Sequence, residues 1–166
     1  TTLLLGASLF TTSSHSTSQS EPLRSSKQIS PFVAKSIYNK TFNLNAYKEK
    51  ITIINFWATW CTPCLQEIPH LVTIQKENKK NVQIIGVLLD NDIKSAKKIA
   101  KKLNINYPII HANDAIQKEL KQFGLISSIP TTFLLDKNLI ISKRVIGARD
   151  ADYFLDSINE LLTQSE

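Results

Sequence analysis

The chain of 166 residues is predicted to fold as an α/β sandwich built on a mixed central sheet flanked by helices, and three features carry that expectation. Two nearly continuous apolar runs rich in β-branched residues, ITIINFW at 51–57 and VQIIGVLL at 82–89, have the pattern of strands buried on both faces. Between them, residues 62–80 place Leu65, Ile68, Leu71 or Val72, and Ile74 or Gln75 close to helical spacing, so strand, helix and strand make a right-handed βαβ unit with a parallel pair. The last third reads as two strands joined by a tight turn and then an amphipathic helix, which adds antiparallel strands to the same sheet.

Taken in order, the chain opens on an apolar run, Leu3 to Phe10, that is too short as written to span a bilayer. From Thr11 to Ser30, 11 of 20 residues are Ser or Thr with no hydrophobic periodicity, the composition of a flexible tether. An apolar run followed by a polar tether resembles the end of a signal peptide or of an N-terminal membrane anchor, although a stray strand would read the same way. The expected division is therefore 1–30 for a signal or anchor remnant with its linker, and 31–166 for one domain. Export would place the domain in an oxidising, periplasmic or otherwise extracytoplasmic compartment, with the N-terminus as a membrane tether.

Residues 31–50 carry scattered apolar side chains and read as an irregular or hairpin entry. Pro69 falls inside the first helical pattern and should kink it. Asp90-Asn91-Asp92 after the second strand could be a cation site, with the N-cap of the next helix as the plainer reading. That helix, about 93–103, turns Ile93, Ala96, Ile99, Ala100 and Leu103 to one face and five lysines to the rest; it is an insertion after the second core strand. A short strand at 107–111, a short helix at 114–123 capped by Gly124, the hairpin 131–136 and 139–147, and a closing helix from about 150 to 162 complete the reading.

The net charge of +6 arises from 20 Lys and Arg against 14 Asp and Glu. The lysines fall in spaced pairs, while the aromatics lie inside apolar runs rather than among the basic residues. That separation argues against a nucleic-acid surface and for a solvated one. Both cysteines, Cys61 and Cys64, sit in NFWATWCTPCLQEIP, immediately after the first buried strand. A disulfide across so short a loop restricts the unfolded chain little, so a structural staple is a poor use for the pair. Zinc would need four ligands, and His15, His70 and His111 are scattered; His70 is read as a solvated helix residue. Redox chemistry fits the position. At the start of a helix, backbone N–H groups and the helix dipole favour the Cys61 thiolate, which makes Cys61 the attacking sulfur. Cys64, one turn on along the same face, can resolve a mixed disulfide on Cys61. Glu67, a further three residues on, is either the base that takes the Cys64 proton or an ordinary exposed glutamate, and spacing alone does not separate the two. Pro130, in SIPTTF, must stand at a strand start because it has no N–H for the ladder; a cis Ile129–Pro130 bond would free the Ile129 backbone to pair with an extended peptide.

FWATWCTPCLQEIP together with IPTTFLLD resembles the thioredoxin superfamily, and within it the exported TlpA/ResA-like thiol-disulfide oxidoreductases, over roughly residues 42–162. The resemblance implies a thioredoxin-like fold and a cis peptide before Pro130 facing the cysteines, with Trp60, Ile129 and Pro130 as the substrate-binding surface. It also implies no cofactor beyond the redox-active Cys61–Cys64 pair and no metal. Ordinary thioredoxins carry a buried aspartate where this chain has Asn55, whereas the TlpA/ResA-like group resembles it in having Asn there and a glutamate at the place of Glu67, which favours the proton-handling role for Glu67. Thr62 and Pro63, between the cysteines, tune the potential. Strongly oxidising relatives place a histidine there, so this couple is expected nearer the ~−270 mV of thioredoxin than the ~−120 mV of DsbA.

The function expected is reduction of disulfides in exported clients, with the haem-binding cysteines of apocytochrome c, in cytochrome c maturation, as one case. A membrane electron donor of the DsbD or CcdA type would keep the pair reduced. A thiol oxidase or isomerase is the first alternative. A copper-handling module using His111 is a second, disfavoured because such modules resemble a CxxxC rather than a CxxC spacing. A peroxidase is disfavoured by Ala58, which stands where peroxiredoxins place a threonine.

Overall fold

A computed structural model describes residues 27–164. The signal or anchor run and most of the Ser/Thr-rich tether lie outside the described residues. A short hairpin, β1 (Val33–Lys35) and β2 (Thr41–Asn43), leads through a 3-10 turn at Leu44–Tyr47 into β3 (Ile51–Trp57). Then follow α1 (Thr62–Glu77), β4 (Val82–Leu88), α2 (Ile93–Lys102), β5 (Ile109–His111), α3 (Gln117–Leu120), β6 (Thr131–Leu135), β7 (Ile141–Ile146) and α4 (Ala151–Thr163). The main sheet has the order β5-β4-β3-β6-β7. β3, β4 and β5 are parallel, β6 adds antiparallel to β3, and β7 pairs antiparallel with β6 at the edge. This is the mixed α/β sandwich the sequence predicts, with α2 inserted after β4.

Period-two alternation divides the core between the two faces of the sheet. Ile54 and Phe56 of β3, Ile85 and Val87 of β4, and Phe133 and Leu135 of β6 point to the face covered by the β1–β2 hairpin, α3 and Phe123. Ile51 and Ile53, with Ile84 and Leu134, point to the other, where Leu71 and Ile74 of α1 and Phe154, Ile158 and Leu161 of α4 cover them. Trp57 continues that second face toward the end of β3, where Cys61, Cys64 and Ile68 of α1 and Ala96 and Ala100 of α2 close around it. Every residue of β3 and β4 is buried, which is why both strands read as nearly continuous apolar runs.

Three local readings are adjusted. Ile29, expected in the tether, is fully buried and its N–H donates to the Leu139 carbonyl at 2.9 Å, while Gln28 bridges to Ile140. The folded unit therefore takes in residues ahead of Pro31, because one isoleucine in a polar stretch reaches the core. Residues 114–123 are one turn of α-helix between two 3-10 turns rather than a regular helix, ending at Gly124 with φ +74°. β7 begins at Ile141: Leu139 takes φ +61° in the turn and is buried there. Pro69 lies inside α1, where the sequence pattern places it, and the helix continues past it to Glu77.

Candidate active site

The cysteines stand where the parallel strand β3 hands over to α1. Cys61 is the N-cap of α1 in extended conformation, Thr62 and Pro63 open the first turn, and the missing proline N–H is no loss at a position where no helical acceptor exists. Cys61 and Cys64 form a disulfide, with Cα atoms 5.3 Å apart. The Cys64 N–H also points at Cys61 Sγ, at 3.3 Å. That N–H and the helix dipole remain to stabilise a thiolate on Cys61 when the bond is reduced.

Exposure grades the site. Trp60 is 71% exposed, Thr62 and Pro63 are exposed, Cys61 is 4% exposed and Cys64 1%. Trp60 and the Thr62-Pro63 turn therefore stand outermost, Cys61 lies beneath them, and Cys64 lies behind. The loop before Cys61 is pinned from the next strand: Asp90 accepts the Thr59 N–H at 2.6 Å through one carboxylate oxygen and the Asp92 N–H at 2.8 Å through the other. Asp92 caps α2 through the Ser95 N–H at 2.9 Å. Two of the three side chains in Asp90-Asn91-Asp92 are thus engaged by main-chain donors, as an N-cap reading requires. The third, Asn91, pairs with the His111 ring at 2.9 Å. His70 is exposed on α1, as expected of a solvated residue.

Glu67 is the informative residue. Three positions after Cys64 on α1, it shares that residue's helix face, and it is 1% exposed. Its Oε2 accepts from Asn55 Nδ2 at 2.7 Å and its Oε1 from the Arg149 backbone N–H at 2.9 Å. Asn55 Nδ2 donates also to Thr132 Oγ1 at 2.9 Å, which fixes the amide with its donors toward the carboxylate. Burial raises the Glu67 pKa from 4.5 to about 7. The Arg149 N–H, the Asn55 amide and the Arg149 charge pull the other way without cancelling the desolvation. Tyr107, buried beside this network, has its phenol pushed above its ordinary range by burial first and by the Glu67 charge second.

The Ile129–Pro130 peptide is cis, as the resemblance implies. Ile129 packs against the cluster that contains Cys61 and Cys64, and Pro130 is buried at the head of β6, its carbonyl accepting the Gly147 N–H at 2.8 Å. Among the described residues no backbone hydrogen bond engages the Ile129 N–H or carbonyl. The structure thus brings together Trp60, Cys61, Cys64, Glu67 and Ile129-Pro130, which are separated by up to seventy residues in sequence. Thr132 and Arg149 escaped the sequence reading, as did the contact of Asp90 with the Thr59 N–H. Thr132 lies next to the recognised IPT step and so had a signal; Arg149 acts through its main chain, which no side-chain pattern announces.

A CxxC disulfide at the end of β3 and the start of α1, with a titratable carboxylate behind it, has the chemistry of a thiol-disulfide oxidoreductase on a thioredoxin-like scaffold. Comparison with known proteins agrees. The AhpC/TSA family profile matches residues 26–144. Thiol-disulfide oxidoreductase ResA of Bacillus cereus is 31% identical over 148 residues, covering 87% of this chain and 83% of the relative. A thiol:disulfide interchange protein of the thioredoxin family from Chlorobium tepidum superposes with a TM-score of 0.76 at 28% identity, covering 86% of this chain and 99% of that one. StoA from Bacillus subtilis does so with a TM-score of 0.65 at 25% identity, covering 78% and 97%. The chain belongs to the AhpC/TSA family and, within its thioredoxin-like members, is similar to the ResA oxidoreductases. Ala58, three residues before Cys61, is fully buried and offers no hydroxyl for peroxide chemistry.

Proposed function

We propose that this protein is a reductant of disulfides in exported client proteins, and the observation that carries the reading is a buried Glu67 with a pKa near neutrality one helical turn behind Cys64. The reduced pair starts the cycle. The Cys61 thiolate attacks one sulfur of a client disulfide, forming a Cys61–client mixed disulfide and releasing the other client sulfur as a thiolate. Cys64 then passes its proton to Glu67 and attacks Cys61 Sγ; the Cys61–Cys64 bond forms and the second client thiol leaves. Two electrons have moved from the protein to the client, with no cofactor beyond the cysteine pair. A carboxylate that titrates near 7 can take the proton and give it back at neutral pH, which a surface glutamate cannot do as evenly.

Trp60 and the unpaired Ile129 backbone support an extended client segment laid across Cys61, with main-chain hydrogen bonds from Ile129 and apolar contact from the indole. Thr62 and Pro63 place no cationic side chain beside Cys61, which supports a reducing couple nearer ~−270 mV than ~−120 mV. A reductant in an oxidising compartment must be resupplied, so the scheme includes a membrane electron donor of the DsbD or CcdA type, and apocytochrome c is a client whose paired cysteines need reduction. The apolar stretch of Leu3 to Phe10 supports an extracytoplasmic, membrane-tethered location; among the described residues no helix is long and apolar enough to cross a membrane. The test is a Cys64→Ser variant expressed in its native compartment. It is expected to hold clients as mixed disulfides on Cys61, and Cys61→Ala is expected to lose both the adducts and disulfide reduction. Absence of any disulfide-linked client, or reduction surviving Cys61→Ala, overturns the reading, and a measured potential above about −150 mV would assign the pair to oxidation instead.

A further inference from the structure

The lysines of α2 are not scattered around the helix. Lys94, Lys97, Lys98, Lys101 and Lys102 follow one another at steps of three, one, three and one, which at 3.6 residues per turn confines all five to an arc of about 140°. All five are exposed, and Ile93, Ala96, Ile99, Ala100 and Leu103 occupy the opposite side against the core. The helix contains no acidic residue, and among the described residues none of the five lysines is in an ion pair. Asp90 and Asp92 precede its first turn and accept from main-chain N–H groups, and the Asp92 charge also acts on Lys94 and Lys98, leaving Lys97, Lys101 and Lys102 farther along the helix. The same surface continues onto the β1–β2 turn, where Tyr38 is 52% exposed beneath Lys97, whose Nζ lies 5.6 Å from the ring centroid, and where Lys40 is exposed.

We infer that the outer face of α2, with Tyr38 and Lys40, is a docking surface for an anionic phospholipid bilayer. The chemistry of the face selects lipid over a folded acidic protein. A protein interface needs buried apolar anchors at its centre, and here every apolar side chain of α2 turns inward. Lysine ammoniums are mobile point charges without the planar fork that matches one fixed carboxylate, so five of them in a row suit a fluid array of phosphates. Tyrosine at the edge of a basic face is the aromatic that partitions to the headgroup region. The direct consequence concerns the redox pair. Ala96 and Ala100, on the inner side of α2, share a cluster with Cys61, Cys64 and Ile68, so a bilayer touching the lysines lies about one helix diameter, ~10 Å, from the layer that holds the cysteines. The lipid contact rests on charge placement alone; its use, presenting the pair to a partner at the membrane, rests on the proposed reductase function.

The experiment is co-sedimentation of the full chain with vesicles of pure phosphatidylcholine and of equal parts phosphatidylcholine and phosphatidylglycerol. The phosphatidylcholine arm reads any contribution of the apolar N-terminal residues, and the gain on adding phosphatidylglycerol reads the charged face. A Lys97→Gln, Lys98→Gln, Lys101→Gln triple variant is expected to lose roughly tenfold to hundredfold of that gain. A Lys48→Gln, Lys76→Gln, Lys80→Gln triple, with the same change in net charge on exposed lysines outside α2, is expected to lose much less. Both triples should reduce a small-molecule disulfide at the wild-type rate, so a loss of redox activity and a loss of lipid binding are read separately. No gain from phosphatidylglycerol, an equal loss in the two triples, or binding to polyglutamate without binding to anionic vesicles overturns the proposal, the last assigning the face to an acidic protein partner.

Discussion

Replacing Glu67 by Gln tests the buried carboxylate directly. In the folded protein desolvation lifts its pKa from 4.5 to about 7, so between these values the native state holds a proton that the unfolded chain has released. The native state then binds more protons than the unfolded state, and the linkage relation makes stability fall as pH rises through the window. The contribution is complete below about pH 4.5 and lost once pH has passed about 7. A displacement of that size, at about 1.4 kcal/mol per pH unit, amounts to about 3 kcal/mol. Glutamine has nearly the same shape and does not ionise. It keeps one oxygen for the Asn55 amide or the Arg149 N–H and turns its own amide NH2, a donor, to the other donor, a pH-independent penalty of about 1 to 3 kcal/mol. Urea unfolding of the two oxidised proteins from pH 4.5 to 8 gives the difference of their stabilities, in which all other titrating groups cancel. The difference is expected to move by about 3 kcal/mol in favour of Glu67→Gln as pH rises. A difference curve flat to within about 0.5 kcal/mol would refute a desolvated Glu67, and a curve of opposite slope would mean that the two hydrogen bonds outweigh burial. The same variant should lose the inflection near pH 7 in its rate of disulfide exchange.

Thr132→Val removes the second acceptor of the Asn55 amide, leaving a buried N–H unpaired; it is expected to cost about 1 to 3 kcal/mol in urea unfolding and to shift the exchange-rate inflection, whereas an unshifted inflection would mean that Asn55 holds Glu67 without help. In Gly86→Ala the new Cβ would sit 3.1 Å from Trp57 Nε1 in a fully packed layer; a loss of about 1 kcal/mol with a changed Trp57 fluorescence is expected, and unchanged stability would show that the indole can give way. Trp60→Ala should leave stability within about 0.5 kcal/mol, since the side chain is 71% exposed, but should raise KM for protein disulfides more than for a small-molecule disulfide. Equal effects on both substrates would remove Trp60 from client binding.

Local pattern alone determined much of this protein. The all-buried runs of β3 and β4 and the two-sided α2 are legible because burial on both faces, or on one helical stripe, leaves a period in the sequence. The Cys61–Cys64 turn is legible for the same reason: its chemistry needs only adjacency to a strand end and one turn of helix. What could not be read is whatever depends on residues far away in the chain. Spacing places Glu67 on the face of Cys64 but says nothing of what covers it. Its burial comes from the sheet and from the turn before α4, and its partners come from positions 12 and 82 residues distant. Asn55 reads in sequence only as a residue that cannot titrate; in the fold it is the link between Glu67 and Thr132, 77 residues on from Asn55 itself. Ile29 makes the same point at the chain's start, a lone apolar residue whose place in the core is set by Leu139, more than a hundred residues later. Periodicity records the environment of an element averaged over its length, whereas the pKa of one carboxylate is set by the few groups that close over it, and only the tertiary structure brings those together.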